Sequence, residues 1–272
     1  MRQLIPNMAF FALCLGALIC LAVWLSRRRR HVRYPQLFYG FPASLKEALF
    51  SRRALWVYAA SAITTAFLAL SDLDWTLQRG MQLAEPLGRE TAYFFLLWGN
   101  FWHTGLALLL LVCARLRACY PVYRAAAAGA QALIMQLFVV QILKTLSGRR
   151  GPLNPDFASA SSFIRKTMDP ADFVFDFWNH GFMDGRFFWP SGHTATAFAF
   201  AAAFTFALPW RYTSFPLRIL IIALWLLAAF TGLAMVDGDF HWTSDVLAGA
   251  AIGALIGAKT GSSLYRRYPS RE

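Results

Sequence analysis

The chain has 272 residues, 58% of them hydrophobic, and a positive mean hydropathy. That is too apolar for a soluble domain of this length, and the apolar residues come in blocks. The net charge of +12 would suit a nucleic-acid binder, but the cations lie between the apolar blocks. There they act as topology signals and as contacts for anionic lipid headgroups, which argues against nucleic acid as a partner.

A bilayer core of ~30 Å needs about 20 helical residues. Blocks at 8–25, 54–71, 93–113, 125–145, 193–210, 218–236 and 245–262 meet that need. Helices are expected because lipid offers backbone groups no partner outside their own segment, and no barrel-like alternation is visible. The fold class is therefore an all-α, polytopic membrane helical bundle. The first block is not read as a cleaved signal, since its cationic cluster, SRRRR, follows the apolar stretch. The next segment, HVRYPQLFYGFPASLKEALFS, mixes aromatics, Pro and Lys as interfacial segments do. Residues 1–53 are read as an N-terminal transmembrane helix with a basic interfacial segment, and residues 54–272 as the membrane domain proper.

Arg27–Arg30, Arg33, Lys46, Arg52, Arg53, Arg115, Arg117, Arg124, Arg211, Arg218, Lys259, Arg266, Arg267 and Arg271 all fall on one side of this layout. The opposite side has Arg2, and a loop at 72–92 in which Arg79 and Arg89 are matched by acids. The positive-inside rule places the C-terminus in the cytoplasm and the N-terminus outside, as in a multi-pass protein of a bacterial inner membrane. The outer loop at 144–193 breaks the bias with Lys144, Arg149, Arg150, Arg165, Lys166 and Arg186, an excess that suits an anionic ligand. Its Phe- and Trp-rich end, FVFDFWNHGFMDGRFFWPSGH, fits the membrane boundary or the mouth of a site that takes a lipid from the side.

Other polar residues have plainer readings. Cys14, Cys20, Cys113 and Cys119 are expected as packing residues rather than disulfides. His103 is expected to be buried and hydrogen-bonded, and Asp237 and Asp239 to be solvated loop residues. AAAAGAQA and AGAAIGALIGAKTG mark close helix packing.

Three polar clusters punctuate the outer ends of the last four blocks, so they can meet although distant in sequence. Lys144, Arg149 and Arg150 leave the fourth. Pro190, Ser191, Gly192 and His193 enter the fifth as a helix start, where free N–H groups point at an anion and Gly192 permits close approach. GDFHWTSDVLAG joins the last two, with Ser244 as an expected cap and Asp245 in the first turn. With Asp245 holding one imidazole nitrogen, His241 has the other free to attack. His193 is available as a general acid, and Lys and Arg donors stabilise charge on a transferring phosphoryl group. An oxygen-rich metal site on so short a stretch is disfavoured.

These residues resemble the type 2 phosphatidic acid phosphatase family, membrane enzymes that remove phosphate from lipid phosphates without a metal. That family shows K-x-x-x-x-x-x-R-P, then P-S-G-H, then S-R-x-x-x-x-x-H-x-x-x-D. The second motif is intact at 190–193, and His241 and Asp245 match the third. The resemblance implies a six-helix core spanning the second to seventh blocks, with the first block additional. It implies His241 as nucleophile through a phosphohistidine, Asp245 orienting it and His193 protonating the leaving oxygen. Phosphate would be bound by Lys144, Ser191 and Gly192, with no cofactor. Two positions depart from the pattern: Gly151-Pro152 stands for Arg-Pro, and Ala234-Met235 for Ser-Arg. Arg149, Arg150 and Arg186 are the nearest candidates to replace the missing arginines as phosphate ligands. Dephosphorylation of a membrane lipid phosphate or diphosphate at the outer face is expected; phosphatidic acid, phosphatidylglycerol phosphate, polyprenyl diphosphate and lipid A all qualify. The alternatives are a lipid phosphotransferase using the same histidines and a non-catalytic lipid-phosphate binding or transport protein.

Overall fold

The computed structural model describes residues 37, 38, 40–117, 119–152, 169–175, 186–208 and 213–268. The expected span at 8–25, with Cys14 and Cys20, lies outside these residues, as do Arg165 and Lys166. Every regular element among the described residues is a helix, in the order α1 (Phe41–Phe50), α2 (Arg52–Leu70), α3 (Leu73–Ala84), α4 (Arg89–Leu116), α5 (Tyr120–Ser147), α6 (Gly192–Ala207), α7 (Phe215–Asp237) and α8 (Thr243–Arg267).

Helices α2, α5, α7 and α8 are each long and apolar enough to cross a bilayer. Helix α4 is bent by 54° between Glu90–Leu97 and Phe101–Leu116, and its two parts together are long and apolar enough for a fifth, broken span or a re-entrant loop. The protein is thus a polytopic helical membrane bundle. Helix α6 differs from its expectation: it ends at Ala207, and its 16 residues span only about 24 Å at 1.5 Å per residue. Eleven of its 16 residues are buried, so this helix is the bundle's centre more than one of its lipid-facing walls.

The ends follow local rules. Pro42, Pro121 and Pro216 open α1, α5 and α7, where a missing N–H costs nothing. Ser51 closes α1 and caps α2, its Oγ accepting the Ala54 N–H at 3.3 Å. Gly148 ends α5 with a left-handed φ of 49°, a conformation that glycine adopts without a Cβ clash.

Packing inside the bundle relies on small residues. Gly249, Gly253, Gly257 and Gly261 line the face of α8 turned to α6, beneath the carbonyls of Ser191, Ala195, Ala199 and Ala203. A Cβ at Gly249 would lie 2.5 Å from the Ser191 oxygen, so the two backbones meet with no side chain between them. Ala125–Ala128 of α5 are likewise buried around Phe200 and Phe204. Many large apolar side chains of the outer helices point outward: Trp56, Ile63 and Phe67 on α2, Phe138 on α5, Ile222 and Phe230 on α7. In water that shell would aggregate; in a bilayer it is the solvent-facing surface.

Two segments differ from the sequence reading. Residues 72–92 contain a helix, α3, rather than only a loop, and it buries Asp74 and Gln78. The interfacial segment contributes α1, whose Ala48 packs with Met135, Val139, Ile252 and Ile256 of α5 and α8.

Candidate active site

The site assembles where α5 ends, α6 and α8 begin and α7 closes, all at one end of the bundle. The residues from Ser147 to Arg149 run alongside Phe187 to Trp189: Ser147 Oγ donates to the Trp189 carbonyl at 3.1 Å, and the Phe188 N–H donates to the Arg149 carbonyl at 3.3 Å. After the cis Trp189–Pro190 bond, the Ser191 N–H donates to the Asp245 carbonyl at 2.9 Å. That bond clamps the start of α6 to the first turn of α8, and the glycine ridge below holds the two axes together.

His241 lies in the short connection between α7 and α8. Its N–H donates to the Met235 carbonyl at 3.0 Å, and the Phe188 ring meets it edge-on at 5.5 Å. Nδ1 is 3.5 Å from Oδ2 of Asp245, a separation common in catalytic pairs before substrate arrives. This leaves Nε2 on the opposite edge of the ring. Burial pushes the imidazole below its ordinary value, and the cations Lys144 and Arg149 add to that, while the Asp245 carboxylate opposes them.

Asp245 is fully buried and held on both oxygens: Oδ1 accepts from Arg149 at 2.5 Å, and Oδ2 from the Trp242 N–H at 3.1 Å. Trp242, not Ser244, is the N-cap of α8, with Asp245 reaching back from the third helical position. Ser244 is turned inward instead, its Oγ accepting from Arg149 at 2.7 Å and donating to Asp74.

His193, in the first turn of α6, donates from Nε2 to the Leu96 carbonyl of α4 at 3.0 Å. Gly99 permits that approach, because a Cβ there would sit 3.2 Å from the imidazole. Lys144 reaches the same space: Nζ donates to the Phe187 carbonyl at 2.7 Å and lies about one van der Waals contact, 4.0 Å, from where a Cβ on Gly192 would be. Lys144 beside Gly192, and the Ser191 N–H on the Asp245 carbonyl, join the three sequence clusters at one end of the bundle.

The other expected phosphate ligands are placed differently. Arg149 is 0% exposed, and each guanidinium nitrogen is bonded to protein: to Asp245 and Ser244, to Asp74 at 2.8 Å, and to the Pro170 carbonyl. It stands behind Asp245, so it is not available to a phosphate in this arrangement. Arg186 binds Asp172 with both terminal nitrogens at 2.7 and 3.2 Å, and the half-exposed Arg150 lies 3.7 Å from the same carboxylate, so both form a rim above the site. Ser191 is buried with its hydroxyl paired to Thr194 at 3.0 Å. At Gly151 a side chain would run into the Phe188 ring, which fills that space.

Asp74 is the residue that sequence reasoning missed. It lies among the acids of a segment expected to be a loop, and its partner Arg149 is 75 positions away, so no local pattern marks it. Asp239 is also corrected: it is buried, accepting from Gln78 at 2.6 Å and Gln82 at 2.8 Å, and it holds α3 to the end of α7. His103 is buried as expected, with Nδ1 2.7 Å from the Gly99 carbonyl. Cys113 and Cys119 are free, but Cys113 is exposed rather than packed.

The PAP2 superfamily model matches residues 125–268, more than half of the chain, from the first turns of α5 through the end of α8. The chain belongs to the PAP2 superfamily. The matched residues include Lys144, His193, His241 and Asp245, whereas Asp74 lies outside them. A lipid A 1-phosphatase of Porphyromonas gingivalis is 44% identical over 69 residues, which is 25% of this chain and 14% of that protein. No solved structure matches this PAP2 chain.

Beside the site, an apolar cavity of about 710 Å³ runs along α4, lined by Phe94, Phe101, Trp102, Leu106, Leu109 and Leu227 among others. Helix α4 therefore touches His193 through Leu96 and Gly99 and borders this cavity with side chains from Phe94 to Leu109.

Proposed function

We propose that the protein is an integral membrane phosphatase that removes phosphate from a lipid phosphate or diphosphate at the outer membrane face. The observation that carries the proposal is the convergence of His241–Asp245, His193 and Lys144 at one end of a membrane bundle. Superfamily membership and the partial likeness to a lipid A 1-phosphatase support it.

A neutral His241, its proton kept on Nδ1 by Asp245, attacks phosphorus through Nε2. An N–P bond forms and the ester P–O bond breaks, the alkoxide taking a proton from His193. The Leu96 carbonyl keeps a proton on Nε2 of His193, so the acid in this step is the imidazolium, which gives up its second proton from Nδ1. Water then attacks the phosphohistidine and gives its proton back to His193, releasing inorganic phosphate. Lys144 and the leading N–H groups of α6 compensate the phosphate charge, with Arg150 and Arg186 above them. The α4 cavity takes part of an acyl chain that enters from the bilayer. No metal takes part in any of these steps.

A second reading, a lipid-phosphate binding protein, is favoured by the places expected for family arginines: Phe188 fills the space at Gly151, and Met235 is buried. One assay separates the two. Purified protein in detergent, with chelator, is offered phosphatidic acid, phosphatidylglycerol phosphate, undecaprenyl diphosphate and lipid A, beside His241→Ala. Phosphate release that survives the chelator and is lost in His241→Ala is expected. Binding without release from any lipid would establish the second reading instead.

A further inference from the structure

Arg149 and Asp74 form a fully buried, densely hydrogen-bonded pair, and the chemistry above leaves both unused. Asp74 Oδ1 accepts the Ser244 N–H at 2.9 Å, and Oδ2 accepts from Arg149 at 2.8 Å and from the Ser244 hydroxyl. Arg149 stacks over Phe173 at 4.9 Å and spends its remaining donors on Asp245, Ser244 and the Pro170 carbonyl. An ion taken this far out of water is tolerated only with full charge and hydrogen-bond compensation, and here two carboxylates supply it.

The consequence falls on Asp245. With Oδ1 fixed by Arg149 and Oδ2 by the Trp242 N–H, the plane of the carboxylate is set, and Oδ2 is presented to Nδ1 of His241. We propose that Asp74 and Arg149 are positioning residues for phosphotransfer: Asp74 anchors the Arg149 guanidinium from α3, and Arg149 fixes Asp245 against His241. Arg149 thus acts behind the histidine, not as a phosphate ligand. This rests on His241 being the nucleophile. It also gives α3, which lies outside the stretch matched to the superfamily, a part in the reaction.

A purely structural pair would lower stability and leave the surviving enzyme's kinetics unchanged, whereas a phosphate ligand would act on KM. The charged and titratable groups facing His241 are Asp245 from α8, Lys144 from α5, Arg149 from the segment after it and His193 from α6. Asp74→Asn, Arg149→Lys and Arg149→Met are compared with the full-length wild type as monodisperse detergent preparations. Phosphatidic acid in micelles is the kinetic probe, and ¹⁵N-imidazole NMR, assigned with His241→Gln, follows His241 without turnover.

Asp74→Asn is expected to lower kcat by about 10–100-fold, the size seen for groups that orient a working histidine from behind, with KM within about twofold. Arg149→Met is expected to lower kcat at least as much and to move both the acid limb and the His241 titration upward, because a cation has been removed. Arg149→Lys keeps the charge, so the titration stays near wild type and kcat recovers part of the loss. A raised KM with kcat and the titration unmoved would overturn the proposal, as would full kcat in Asp74→Asn. Should Arg149→Met not fold, Asp74→Asn and Arg149→Lys still decide. If the wild type releases no phosphate, the functional proposal fails, and the NMR shift alone tells whether the pair controls His241.

Discussion

His241 is held between opposing influences. Burial removes water from an imidazolium and so disfavours it, and Lys144 and Arg149 repel it, while Asp245 attracts it. The net direction is downward, which keeps the ring neutral, and a neutral ring is the form that can attack phosphorus. The sign follows directly: the attacking form of His241 is fully present above its pKa and is lost as pH drops through it. The acid limb of kcat/KM, which reports the free enzyme, is therefore expected below the ordinary imidazole value of 6.5. Lys144→Gln removes a repelling cation and should move that limb upward while raising KM. A limb that stays in place in Lys144→Gln would separate Lys144 from His241. Much at this scale was legible in the sequence. His193, His241 and Asp245 are marked by spacing and by their place at helix ends. Arg149 was visible only as a spare cation, because its role depends on a carboxylate 75 positions away.

Helix α8 meets α6 along glycines, and the spacing that makes this possible could be read directly from AGAAIGALIGAKTG. A side chain at Gly257 would collide with the Ala199 carbonyl, which belongs to backbone and cannot swing aside. Overpacking of this kind costs about 1–3 kcal/mol. Gly257→Val should therefore lower the thermal midpoint in detergent. Gly80→Ala, on the exposed face of α3 with open space around it, should hold or raise the midpoint, because alanine favours helix by about 1 kcal/mol. Equal midpoints for Gly257→Val and wild type would mean the α6–α8 contact is looser than described. The elements that escaped prediction have a common cause. Helix α3 is amphipathic but turns the polar Asp74 and Gln78 inward and leaves Leu73 and Leu77 outward, and its 12 residues are too few to read as a span. Helix α6 is apolar on all sides because it is central, and that composition resembles a full span although the helix stops at 16 residues.

The whole bundle is asymmetric from end to end. Arg52, Arg53, Arg115, Arg117, Arg218, Lys259, Arg266 and Arg267 gather at one end, where Glu47 lies 3.8 and 3.7 Å from Lys259 and Arg266. The candidate site occupies the other end, where each cation near His241 has a defined partner. The positive-inside rule favours a cytoplasmic place for the cationic end, which supports the proposal that the site faces outward. Four helix termini, a short connection and the head of α3 must come together there for the chemistry to occur at all. The most direct test is to trap the intermediate. Wild type and His241→Gln are mixed with ³²P-labelled lipid phosphate, quenched within milliseconds in alkali and digested for mapping. The expected result is an alkali-stable, acid-labile label on the peptide that carries His241, absent from His241→Gln. A label that persists in His241→Gln, or phosphate release from wild type with no label at any time, would contradict a phosphohistidine at this site.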